Sequence, residues 1–212
     1  KKPIVAKYYG DEKGKISIHN KEEMETLLKK IENADYKVKD VKKGERVKKA
    51  PLPFTTSTLQ QEASNALNFS TQKTMRLAQQ LYEGVDIKGS GLVGIITYLR
   101  TDSTRVSDEA EAMARDYIAS QYGEKYLAES INEKKNEKKI QDAHEAIRPT
   151  DISRTPALVK DSLSRDQFRL YQLIWKRFAA SRMAAAEYET LSVRIENNGH
   201  KFSAAASKVA FD

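Results

Sequence analysis

The sequence predicts an α+β protein of two domains, and three observations carry that expectation. Residues of alternating polarity occupy both ends of the chain, around 4–18 and 187–211, while the middle holds helical stripes headed by capping residues. Pro51, Pro53 and the run Thr55–Thr58 lie between the first alternating region and the first of those helices; they favour extended backbone, turns and caps, and so mark a joint. The two final strands, around the turn Asn197–Gly199, are expected to return to the first domain's sheet, which makes the helical part an insertion.

In chain order, Ile4, Ala6 and Tyr8 alternate up to Gly10, and Ile16 and Ile18 do so up to His19, across a polar turn at 10–14. Asn20 caps a helix whose stripe is Met24, Leu27, Leu28 and Ile31, expected to pack on those strands. Tyr36, Val38 and Val41 open another strand. It runs into residues 37–49, where six lysines and one arginine face two acids, as a solvated face or a track for phosphates. Ser57 with Gln60 reads as a capping box for a helix carrying Leu59, Ala63, Ala66 and Leu67. Ser70 caps the next, with Met75, Ala78, Leu81 and Tyr82 inward and Gly84 as its stop. Two short helices, a loop and a strand at 93–99 make a helix-turn-helix with a wing, whose polar faces offer Gln60, Lys73 and Arg76 to DNA or equally to water. Ser107 caps a helix with Ala110, Met113, Ala114 and Tyr117 inward, closed by Gly123. The Lys-, Glu- and Asn-rich stretch 129–141 reads as a mobile surface loop, and 155–163 as loop or turn. Ser164 with Gln167 heads a long helix whose stripe of Phe168, Tyr171, Ile174, Trp175, Phe178 and Arg182 belongs to a core.

Composition narrows the chemistry. With 37 Lys and Arg against 30 Asp and Glu, net +7, the chain suits a polyanion such as nucleic acid. There is no Cys, and the three His (His19, His144, His200) are far apart, so no disulfide and no Cys- or His-rich metal site is expected. No apolar run approaches membrane-spanning length and no leader pattern opens the chain, so a soluble, cytoplasmic protein is expected. Lys1 as first residue and an ending at Ser207–Asp212 without turn or cap predict an excised piece.

Two stretches carry chemistry. In GLVGIITYLRTDS at 91–103, a period of two puts Tyr98, Arg100 and Asp102 on one face of a buried strand, with Thr97 and Leu99 on the other. A phenol of ordinary pKa near 10 is a poor nucleophile, and a guanidinium two residues along can hold a phosphate beside it and favour its anion, with Asp102 orienting the guanidinium. A core-strand Tyr with a surface Arg–Asp pair has the same pattern. In AHEAIRP at 143–149, a helix would put His144 and Arg148 one turn apart, with Ala143 and Ile147 on the packing side. There His144 could exchange a proton with a phosphate, or it could be a surface residue near a helix end.

PFTTSTLQQEAS at 53–64, LVGIITYLRTDSTRVS at 92–107 and AHEAIRPTD at 143–151, in this order and separation, resemble bacterial DNA topoisomerase I, a type IA enzyme. The resemblance implies that Tyr98 is the nucleophile that cuts one strand and keeps the 5′-phosphate as a phosphotyrosine, conserving bond energy for religation. It implies that Arg100 binds the scissile phosphate with Asp102 in support, that His144 sits by the cleavage site, and that Thr104 and Arg148 belong to the same motifs. It further implies a β-rich arch from 1–57 and 185–212 and a helical, winged-helix-like domain at 58–184 bearing Tyr98. Movement of that domain would open a gate for strand passage.

By the same resemblance, Mg²⁺ is held by an acidic cluster that, with a catalytic Lys, belongs to an N-terminal domain absent here, onto which this piece docks. The piece alone is then expected not to relax DNA, while the intact enzyme acts on single-stranded and negatively supercoiled DNA. Two other readings remain. A basic winged-helix module without covalent chemistry predicts a buried, replaceable Tyr98. A tyrosine recombinase would carry its Arg and His motifs before a late Tyr, whereas Tyr98 precedes both His144 and Arg148.

Overall fold

A computed structural model describes residues 3–128 and 144–211. The contacts divide the chain into two compact units, Lys1–Lys48 with Ala186–Asp212, and Lys49–Ala185. The break at 48/49 lies upstream of the expected 57/58. Phe54 is fully buried in the core of the second unit and Thr55 caps its first helix, so the Pro- and Thr-rich stretch already belongs to that unit.

The first unit is one antiparallel sheet with a helix. Its strands are β1 (Lys7–Asp11), β2 (Gly14–Lys15), β3 (Lys37–Lys48), β6 (Ala186–Asn197) and β7 (His200–Phe211), in the order β2-β1-β7-β6-β3. The chain's last strands do rejoin its first. The β6–β7 turn places Asn198 and Gly199 at φ of 47° and 76°, the paired left-handed conformation of a tight two-residue hairpin that Asn-Gly tolerates best. Helix α1 (Lys21–Ile31) starts where expected, the Asn20 side chain accepting from the Glu23 amide. It buries Leu27 and Ile31, and Asn197 Nδ2 donates to the carbonyls of Ile31 and Ala34 at its C-terminal end. The 16–19 stretch, expected as strand, is not in the ladder, which stops at Lys15. Along β3, at the sheet's edge, nearly every residue is exposed.

The second unit holds α2 (Thr56–Leu67), α3 (Thr71–Glu83), the hairpin of β4 (Val85–Ile87) and β5 (Gly91–Val93), α4 (Asp108–Tyr122), α5 (Pro156–Val159) and α6 (Arg165–Ser181). Their apolar stripes meet in one core that includes Phe54, Leu59, Leu81, Ile95, Ile147, Tyr171, Ile174 and Phe178. Four N-caps fall at or near their expected places, at Ser70, Ser107, Ser164 and the start of α2. The last differs in detail. The capping box is Thr55 with Thr58, because Thr55 Oγ1 accepts from the Thr58 amide while Thr58 Oγ1 accepts from the Thr55 amide, so the helix begins at Thr56 and Ser57 and Gln60 lie inside it. The expected 155–163 loop contains α5 and a 3₁₀ turn at Lys160–Ser162. Ala66, Met113 and Tyr82, expected inward, are exposed, the last because it turns towards Tyr98. The expected loop at 129–141 lies outside the described residues.

Candidate active site

Only Gly91–Val93 of the central stretch belongs to a strand pair; beyond it the chain has no ladder of its own, with an isolated bridge at Ile96 and a bend at Leu99–Arg100. Yet the period of two holds. Tyr98 is 41% exposed while Leu99 is 1% and Thr101 8% exposed, and Arg100 and Asp102 face solvent. Alternation survives because Leu99 and Thr101 are drawn inward, Leu99 into the core and both into hydrogen bonds.

Those partners come from two other segments. The 144–150 segment is not the helix considered from its sequence. It is extended, with isolated bridges from Ile147 to Phe54 and from Pro149 to Ile96. A helix would have used its own backbone groups; here they reach across. The Thr97 amide donates to the Arg148 carbonyl (2.9 Å), the Thr150 amide to the Ile95 carbonyl (3.1 Å) and the Ala146 amide to the Arg105 carbonyl (2.8 Å), so this segment braces the Tyr98 stretch at both ends. The Thr97 hydroxyl donates to the Ala146 carbonyl (2.7 Å) and accepts from the Arg148 amide (3.0 Å). On the other side, residues 56, 99 and 101 are joined in the same manner through Thr56. Gly94 is required for backbone approach, since a Cβ there would stand 2.4 Å from the Tyr82 carbonyl oxygen.

The bracing brings the His144 ring to Tyr98, stacked with centroids 6.1 Å apart, and the Tyr82 ring also meets the phenol, edge-on at 5.4 Å. Tyr82 was not singled out for the site from the sequence. Its helical position points to packing, and only the fold shows which ring it packs on. Arg100 and Asp102 make no ion pair with each other, although their proximity in sequence suggested one; among the described residues Arg100 has no acidic partner. Its side chain is exposed, and no acid among the described residues competes with an external anion for it.

Arg148 is differently placed. Its side chain, 11% exposed, ion-pairs with Glu145 and donates to the Pro149 carbonyl (2.9 Å), so it is spent within its own segment. Burial works to raise the Glu145 carboxyl, but hydrogen bonds from Ser107 and Arg148 and the charges of Arg148 and Arg105 outweigh it and hold the group below the usual carboxylate range. Lys73, offered to DNA by the sequence reading, is instead 2.6 Å from Asp166 and lies over the Phe69 ring. Arg76 remains exposed on α3, Gln60 half-buried on α2, and Thr104 half-buried beyond the Tyr98 stretch. Among the described residues no three His, Asp or Glu side chains converge to hold a metal ion, and no helix is long and apolar enough to cross a membrane.

Residues 4–212 match the family model described as DNA topoisomerase. Full-length topoisomerase I from Thermotoga maritima, solved in a monoclinic crystal form, is 40% identical, superposes with a TM-score of 0.81, and is matched over 99% of this chain but only 33% of its own. The chain thus spans about a third of that protein's length, and with this identity sustained across both units it belongs to the bacterial DNA topoisomerase I family, the type IA enzymes.

Proposed function

We propose that this chain is the nucleophile-bearing part of an enzyme that relaxes negatively supercoiled DNA by cutting one strand, passing another and resealing the first. The observation that carries the reading is the half-exposed phenol of Tyr98, in contact with the His144 and Tyr82 rings on a braced segment, with the exposed Arg100, which has no acidic partner among the described residues, two residues on. In the proposed step the Tyr98 oxygen attacks the phosphorus of a backbone phosphate, the bond from phosphorus to the 3′-oxygen breaks, and the 5′-phosphate remains on Tyr98 as a phosphodiester. Because one ester replaces another, the 3′-hydroxyl can reverse the reaction without an external energy source. In this reading Arg100 stabilises the charge that gathers on the phosphate oxygens and His144, whose ring meets that of Tyr98, exchanges a proton at the reacting oxygens. Arg148 has a supporting role here, since its guanidinium is committed to Glu145.

Among the described residues no group of three His, Asp or Glu side chains could hold a metal ion. The reading assigns Mg²⁺, and the acid for the departing oxygen, to an N-terminal domain on which this part docks, and the arch and gate roles to the sheet unit and the helical unit. Exposure of Tyr98 counts against a purely structural Tyr in a non-catalytic winged-helix module, even though α2, α3 and the β4–β5 hairpin occur in that module's order. The test is trapping of covalent DNA on the full-length protein. Tyr98→Phe, which removes only the attacking oxygen, should bind DNA as before and give no adduct; an adduct on the Phe variant would overturn the reading.

A further inference from the structure

Thr56 lies in the Pro- and Thr-rich stretch that reads from sequence as a joint, and it is the first residue of α2. The first amides of a helix have no partner within it. Thr56 directs its amide to the Thr101 carbonyl (2.9 Å), and its hydroxyl donates to the Leu99 carbonyl (2.7 Å) while accepting from the Thr101 amide (2.9 Å). One residue thereby holds the backbone on both sides of Arg100 and leaves that side chain outward. Thr97 binds the 146–148 backbone through its own hydroxyl just before Tyr98, so two threonine hydroxyls bracket the pair Tyr98 and Arg100.

We propose that Thr56 is a positioning residue that sets the Arg100 guanidinium for the scissile phosphate. The proposal rests on the cleavage reaction described above. Removing the hydroxyl leaves the Leu99 carbonyl and the Thr101 amide without this partner, and lets the segment between them shift. Misplacement of a charged group by about 1 Å is enough to cost on the order of 10²-fold in rate, whereas overall attraction for DNA, spread over many cations, changes little.

The experiment measures cleavage at saturating DNA in the full-length protein. Thr56→Val should cleave about 10²-fold more slowly with DNA affinity unchanged, and Thr56→Ser, which keeps the hydroxyl, should restore the rate. Thr74→Val serves as control for lost stability, since the fully buried Thr74 hydroxyl donates only to the Ser70 carbonyl of its own helix cap (2.9 Å). It should lower the melting temperature as much as Thr56→Val yet cleave normally. In an Arg100→Ala background, Thr56→Val should add almost no further loss, because the group it positions is gone. Cleavage by Thr56→Val at the unsubstituted rate, an equal loss in Thr74→Val, or losses that simply multiply in the double variant would each overturn the proposal. Adduct formation by Tyr98→Phe would instead overturn the cleavage reading itself, so the two failures are separable.

Discussion

The sheet unit and the helical unit are of similar regularity in secondary structure but differ in what holds them. In the helical unit, more than twenty buried apolar side chains from α2–α6 and the intervening segments form one cluster. In the sheet unit the buried apolar residues are Leu27 and Ile31, while Val38, Val41, Val47 and Val209 are exposed along a sheet whose order comes from backbone ladders. The difference teaches where precision can reside. The phenol and the guanidinium proposed to meet one phosphate sit on the packed unit, whose side chains have few alternative arrangements. A sheet held by ladders and edge lysines suits span more than fine placement, and its charged edge also discourages strand addition by other chains.

The comparison can be broken first at Phe54. It is fully buried, pairs by backbone with Ile147 and lies under the Arg177 guanidinium, so Phe54→Ala should cost about 3–5 kcal/mol, read by urea unfolding of the helical unit. Val47→Ala on the exposed edge strand should stay within about 0.5 kcal/mol. Equal costs would end the distinction. A smaller effect is expected at Glu145, where Glu145→Gln removes the charge-assisted bonds to Arg148 and should cost about 1.5–3 kcal/mol near neutral pH. Because the folded carboxyl lies below its usual range, this contribution is present above the unfolded value and is lost as pH falls through the folded one. Acid titration of stability in the wild type should show that loss and the Gln variant should not. The smallest of the larger effects belongs to the sheet unit's own anchor. Asn197→Ala deletes two donors to the end of α1 and should cost about 1–2 kcal/mol, seen as faster hydrogen exchange in Lys21–Ile31 with no change in α6.

Much of this was legible because it is local. The caps at Asn20, Ser70, Ser107 and Ser164, the Asn198–Gly199 turn and the aromatic stripe of α6 each depend on residues a few positions apart. The candidate site was legible as motifs, with Tyr98, Arg100 and His144 identifiable from residues that stand where a known pattern has them. What misled was equally physical. The period that suggested a helix at 143–149 cannot reveal that Phe54, Thr97 and Arg105 offer backbone partners to an extended chain, and a Lys on a polar helix face does not announce the Asp166 that claims it.

The sequence by itself determined the α+β class, the return of the last strands to the first, and the identity of the nucleophile candidate, since patterning, caps and turn residues act over short range and motifs need no coordinates. Only the tertiary structure decided that Tyr98 is exposed while touching the His144 and Tyr82 rings, that Arg148 is committed to Glu145 while Arg100 has no acidic partner among the described residues, and that Thr56 grips the chain around Arg100. The physical reason is that hydrogen bonds between residues 43 to 51 positions apart, and the ring contact of Tyr98 with His144, depend on how the packed core brings distant segments together, and no local preference encodes that meeting.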